Sequence, residues 1–362
     1  MNIGISDKLM GNENRFRALD FLRGLAILGV IAIHVSLGLP TQIELIDKTL
    51  SFGLYGVQLF YLISAITMCL MWEQRAYEKS PTKNFYIRRF LRIAPLFWLA
   101  IPVYLSVNGF EPSYWAPEGI GVTQIVLTIL FLQGFWPDAI NSVVPGGWSI
   151  AVEMTFYLIF PVLIRTFQNR ANLYLYSAIF VWLLNNLFFK GWITEFFADH
   201  YPAMGALIVK DYLSLYFLNQ APIFLIGCWI YFSRANSFFK GNLVIFVAWI
   251  GLAALLKFTL GINGLGFLLV YLSLSVLVVF CITKKVHFKP IEALGKNSYA
   301  MYLIHFLVIS FVYRLLPEKM GLMMWLTAMC LTVLISYVLS KIIYFLIESR
   351  IQLLANRLTV GR

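Results

Sequence analysis

The sequence predicts an all-α integral membrane protein of about ten transmembrane helices. Three observations carry that prediction. Of the 362 residues, 60% are hydrophobic and only 12% charged; the mean hydropathy is +0.79; and apolar runs of about 20 residues recur along the whole chain. A soluble domain of this length needs a charged surface that 17 acidic and 28 basic residues cannot cover. The net charge of +11 does not point to nucleic acid, because the basic residues fall between apolar runs instead of gathering on a polar domain.

The runs lie at 21–39, 53–72, 91–107, 147–165, 172–189, 213–232, 243–260, 265–283, 298–316 and 322–346. Residues 1–20 are polar and carry Lys8, Arg15 and Arg17, and the first run ends near Leu39 without a small-residue cleavage site. It is therefore expected to be a retained span and not a signal peptide. The stretch 122–136 is shorter and closes with Gly134 and Pro137. Counted as a span, it would invert every later loop against the positive-inside rule. Taken as re-entrant or interfacial, it leaves both termini cytoplasmic, with twenty Lys and Arg in inner loops and four outside: Lys48, Lys190, Lys210 and Lys319. Non-helical backbone at membrane depth must be buried in protein or line a wet cavity, which makes 108–146 a candidate wall of a substrate site.

No repeat, heptad pattern or low-complexity tract divides the chain, so a single membrane domain over 1–362 is expected, without an appended soluble domain. Cys69, Cys228, Cys281 and Cys330 each sit alone in an apolar stretch, which suits packing and predicts no metal or disulfide.

Ionisable side chains inside spans are costly and each warrants a functional hypothesis. Arg23 and His34 stand eleven residues apart, about three turns, which puts them on one helical face about 16 Å apart along the axis. Ser149, Glu153 and Tyr157 form a polar stripe at i, i+4, i+8 just after Trp148. A third stripe joins Ser298, Tyr302 and His305, with Asn297 or Ser298 expected to cap its helix. Arg88, Arg89 and Arg92 cluster ahead of Pro95 at the expected cytoplasmic mouth, where they serve either as topology signals or as a phosphate clamp. Lys257, Arg314 and Lys341 lie near span ends and are expected to snorkel.

Arg23 and His34 with ten residues between them, the segment Gly56 to Ser64, the Arg89–Arg92 pair before Pro95, Trp148-Ser149 before Glu153, Gly295 to His305, and Glu348 occur in one order. That series resembles the acyltransferase 3 family of integral-membrane O-acyltransferases, over about residues 15–350. The resemblance implies a ten-span enzyme of the cytoplasmic (inner) membrane. Such an enzyme moves an acyl group, usually acetyl, from cytoplasmic acyl-CoA to a hydroxyl of an exported or cell-surface carbohydrate, in some members lipid-linked. It carries the family's arginine–histidine pair onto Arg23 and His34, its arginine motif onto Arg89 and Arg92, and its tryptophan–glutamate motif onto Trp148, Ser149 and Glu153. Gln58 replaces an acidic residue common in the family, Ala65 follows Ser64 where glycine is common, and no proline stands two residues after Glu348. Gln58 and Glu348 are therefore given little catalytic weight.

Hydroxyl attack on a thioester needs a base near the alcohol and an anchor for the phosphates of the donor. His34 as a neutral imidazole is expected to supply the base of a direct transfer, or the acyl carrier of a two-step route, and Glu153 is expected to orient it. Arg23, Arg89 and Arg92 supply the anchor, while Trp148, Ser149, Tyr157, Tyr302 and His305 are candidates for the acceptor side. No metal is expected. The competing reading is a transporter or flippase for a lipid-linked saccharide, in which the buried Arg, Glu and His line a path; the sequence lacks the paired half-repeat of broken helices that marks such proteins.

Overall fold

The computed structural model describes residues 3–168, 170–233, 265–317 and 320–359, with positions 247–248, 250–252, 254–255 and 259 between them. Regular structure among the described residues is helical, apart from one isolated bridge between Ser113 and Ala116. Nine helical runs among them are long and apolar enough to cross a bilayer: Phe16–Gly38, Glu44–Gln74, Pro81–Asn108, Gly147–Phe167, Ala171–His200, Ala206–Phe232, Gly266–Thr283, Ser298–Leu315 and Leu322–Thr359. Each matches an expected span. The expected span 243–260, with Lys257, lies largely outside the described residues, as do Arg234, Lys240 and Lys319.

One boundary differs from expectation, and the short stretch is short as expected, each for a physical cause. The fifth run does not stop at 189, because a π-turn at Asn185–Phe189 joins Ala171–Leu184 to Lys190–His200. Lys190 is thus inside a helix, donating to Asn186 at 3.1 Å, and not in a loop. The stretch 122–136 holds only the eight-residue helix Val122–Ile129, about 12 Å long against a hydrocarbon core of about 30 Å. Phe131 at φ 60° and a 3-10 turn at Gln133–Phe135 end it. Gly134 lets this turn approach the Gly147–Phe167 helix so closely that a Cβ would lie 2.9 Å from Ala151. The Gln133 amide donates to the Gly147 carbonyl at 3.1 Å.

The chain forms two compact units, one of Met1–Ile63 with Ser273–Ser349 and the other of Ser64–Leu272 with Arg350–Arg362. In the first unit the Ile3–Gly38 helix packs tightly on the short helix Lys289–Lys296. Two glycines make the close crossing possible: a Cβ on Gly24 would lie 2.1 Å from the Ile291 carbonyl oxygen, and one on Gly295 1.8 Å from that of Asp20. The Phe52–Tyr55 turn and the Glu44–Ser51, Ser298–Leu315 and Leu322–Ile343 helices also pack on the first helix.

In the second unit the core is aromatic. Phe156 stacks on Phe224 at 4.3 Å and Phe85 on Phe160 at 5.2 Å. A second cluster gathers Phe197, Tyr212 and Tyr216, with Trp115, Trp136 and Trp148 packed against it. Buried polar groups are paired across helices: Asn185 bonds Tyr216 and Asn219, and Tyr271 donates to the Asn219 carbonyl at 2.9 Å. Cys69, Cys228 and Cys281 are buried free thiols, whereas Cys330 is exposed.

Candidate active site

In the first unit, His34 and His305 meet although they are 271 residues apart. The His34 Nδ1 lies 2.8 Å from the Val30 carbonyl, one turn back on its own helix. His305 is fully buried, its Nδ1 2.6 Å from the Tyr302 carbonyl and its Nε2 3.3 Å from His34 Nδ1. Phe306 packs on both imidazoles, with ring centroids 4.5 Å from His34 and 4.1 Å from His305. Tyr302 lies edge-on to Phe60 at 6.3 Å and within 5.5 Å of the His305 ring. Three of the residues singled out in the sequence thus form one cluster on two helices.

Three turns toward the N-terminus of the same uninterrupted helix, Arg23 is half-buried and donates to the Asp20 carboxylate at 2.8 Å. Arg17 and Glu292 form an ion pair at 3.3 Å, and Arg17 also reaches His287 Nδ1 at 3.1 Å. Asp20 and Glu292 were not among the expected site residues. The expected side-chain cap of the Ser298–Leu315 helix is absent: Asn297 is the residue before it, but its amide turns back to donate to the Ala293 carbonyl at 2.6 Å. The preceding helix ends there, and its open carbonyls are the nearer acceptors.

In the second unit the Gly147–Phe167 helix starts abruptly at Gly146, whose φ of 78° favours glycine and whose N–H is held by Asn141 at 2.7 Å. Ser149 donates back to the Gly146 carbonyl at 2.9 Å. Half-buried Trp148 packs toward the aromatic cluster. More than a turn and a half into the helix, Glu153 Oε1 accepts from Ser64 at 2.6 Å and from Tyr157 at 2.5 Å. Ser64 belongs to this site and was not assigned to it from sequence; a hydroxyl 89 residues away gives no spacing signal.

Tyr157 links this carboxylate to the arginine cluster. The Arg89 guanidinium lies over the Tyr157 ring at 5.5 Å and over Phe85 at 5.8 Å. Arg88 makes a two-pronged pair with Glu78 at 2.8 and 3.0 Å, and Arg92 is exposed. Burial alone would raise the Glu78 carboxyl, but hydrogen bonds from Arg88 and Asn84 and the charges of Arg88 and Arg75 hold it below the usual carboxylate range. A hollow is lined by Arg75, Arg88 and Arg89 together with Met71, Trp72 and Phe85. Buried Arg88 Nε has no hydrogen-bond partner, and no carboxylate pairs with Arg89 among the described residues. Such a donor set fits an anion with several oxygens, as a phosphate has. Among the described residues no group of three His, Cys, Asp or Glu side chains stands ready for a metal.

A family model described as an acyltransferase domain matches residues 16–341. The chain is 25% identical over 335 residues to O-acetyltransferase OatA of Staphylococcus aureus strain NCTC 8325, an alignment covering 81% of this chain and 50% of that protein. It is 28% identical over 332 residues to SACOL0978 of Staphylococcus aureus strain COL, covering 82% of this chain and 51% of that protein. The chain therefore spans about half the length of the curated relatives it matches. No solved structure matches it.

Proposed function

The chain belongs to the acyltransferase 3 family, and from that premise we propose that it is a membrane O-acyltransferase moving an acyl group, acetyl first among the choices, from cytoplasmic acyl-CoA to a hydroxyl of an exported or cell-surface carbohydrate. Its place is the cytoplasmic membrane, with the basic loops facing the donor pool and both ends inside. The observation that carries the reading is the pairing of His305 with His34, whose own helix also bears Arg23. Imidazoles held at membrane depth and backed by fixed acceptors suit proton transfer.

The donor supplies an activated acyl thioester. His34 takes the proton of the acceptor hydroxyl as the new O–C bond forms, and returns it to the thiolate sulfur once the C–S bond breaks. Arg89 and Arg92 hold donor phosphates, and Arg23, on the helix of His34, is a separate candidate for the same role. Support for that role comes from the unpaired Arg88 Nε and from Arg89, which packs on two aromatic faces instead of on a carboxylate. Glu153, held by Ser64 and Tyr157, is the second candidate catalytic side chain, and Trp148, Ser149, Tyr157 and Tyr302 are candidates for contacts to the acceptor. The 122–136 segment is re-entrant in this reading.

Mass spectrometry of surface and secreted glycans tests it, comparing a deletion strain given back the wild type with one given His34→Ala. The reading expects one glycan to lose an acyl mass and to regain it only with the wild type. Loss of glycan export that either form restores would instead favour a lipid-linked saccharide transporter.

A further inference from the structure

The geometry of the histidine pair fixes more than proximity. A carbonyl oxygen can only accept, so the 2.8 Å contact to Val30 puts the proton of His34 on Nδ1, and the 2.6 Å contact to Tyr302 puts that of His305 on its own Nδ1. His305 Nε2 is then a bare lone pair, and it faces the His34 Nδ1–H at 3.3 Å. One proton is thereby shared between a backbone carbonyl and an imidazole, and the basic atom of His34 can only be Nε2.

We propose that His305 is a positioning residue for the acyl transfer, locking His34 in the Nδ1–H tautomer with Nε2 free to take the acceptor's proton. This rests on the reading of His34 as the base. When Nε2 takes the hydroxyl proton, His34 becomes a cation whose Nδ1–H points at a neutral acceptor, so the hydrogen bond to His305 strengthens at the step where charge appears. His305 itself gains and loses no proton. Phe306, which packs on both rings, holds their relative tilt of 46°. The fully buried position of His305 keeps water from competing for the same Nδ1–H.

The test uses the full-length protein in membrane vesicles, with radiolabelled acetyl-CoA as donor and a surface-glycan extract of the host as acceptor. His305→Phe keeps the ring volume and removes the acceptor; His305→Gln restores an acceptor near the Nε2 position. The expected result is a drop in kcat on the order of 10- to 100-fold for His305→Phe, a fraction of what a general base supplies, with the acetyl-CoA KM unchanged and partial recovery in His305→Gln. Side-chain 15N spectra of histidine-labelled protein give an independent readout, the His34 signals being identified by their loss in His34→Ala. The wild type should show one Nδ1–H tautomer and His305→Phe a mixture. An unchanged tautomer together with wild-type kcat in His305→Phe overturns the proposal. Full activity in His34→Ala overturns the reading of His34 as base instead, and the spectra then decide the pairing by themselves. If His305→Phe does not accumulate, His305→Leu takes its place: a tautomer mixture supports the lock and retention of the single Nδ1–H form overturns it.

Discussion

Tyr157 donates its hydroxyl to Glu153 Oε1 at 2.5 Å, one turn along the same helix, and Ser64 donates to that same oxygen at 2.6 Å. Both hydroxyls converge on one atom, so removing either leaves the other as its partner. Tyr157→Phe and Ser64→Ala should each cost about 0.5–1.5 kcal/mol, the net range for an intramolecular hydrogen bond. The two losses should not add. Unfolding in mixed micelles of the single and double variants measures this, and strict additivity would refute a shared acceptor.

His34→Ala should abolish acyl transfer, by about 100- to 10,000-fold, while leaving the protein in the membrane. Donor-dependent label transfer beside an immunoblot of the membrane fraction separates the two effects. Near-normal transfer by a normally inserted variant rules out His34 as the base.

Arg89→Ala should weaken donor binding at least about tenfold, since a charge-assisted contact to phosphate is worth about 1.5–3 kcal/mol. Arg89→Lys should recover only part of it, because lysine keeps the charge and loses the flat face that lies on Tyr157 and Phe85. Acetyl-CoA affinity by calorimetry is the measurement. Equal affinity in all three forms would make the cluster a topology signal only.

Asp138, between the spans, has its carboxyl raised by burial, partly offset by the hydrogen bond from Gln124 at 3.1 Å. Its folded form therefore binds a proton more readily than the unfolded chain, and the stability it contributes falls as pH rises through that window. Asp138→Asn, which keeps an oxygen for Gln124, should melt higher than wild type at pH 7–8. The gap should close as pH falls to the ordinary carboxylate value of about 4. A gap that widens on acidification contradicts the assignment.

Gly295→Ala places a methyl 1.8 Å from the Asp20 carbonyl oxygen, a backbone atom that cannot swing aside. Forced separation of the two helices should cost about 1–3 kcal/mol or more, read as a lower melting temperature in detergent. An unchanged melt would mean the crossing is looser than drawn.

The spans were legible because crossing a bilayer demands about 20 apolar residues, a pattern no soluble segment of this chain imitates. The short element near 122–136 was legible for the same reason in reverse. The π-turn at Asn185–Phe189 was not, since its residues carry no Gly or Pro and nothing in their hydropathy marks a change of winding. Glu153 and Tyr157 were legible as a stripe because i, i+4 spacing is local, whereas Ser64 reaches them only through tertiary packing. Sequence placed His34 and His305 each on a polar face but could not join them. The Asn297 cap failed because a residue between two helices can satisfy either end.

Gly24 and Gly295 touch through their backbones: a Cβ on Gly295 would lie 2.9 Å from the Gly24 nitrogen. His34 stands ten residues beyond the first glycine and His305 ten beyond the second. The glycine contact is thus a fixed point from which each imidazole is placed, His34 along one unbroken helix and His305 across the break at Asn297 and along the Ser298–Leu315 helix. One alanine inserted anywhere between 24 and 34 would leave every side chain of the site in place on paper. It would nonetheless turn His34 by about 100° and advance it about 1.5 Å, which is enough to dissolve the pair.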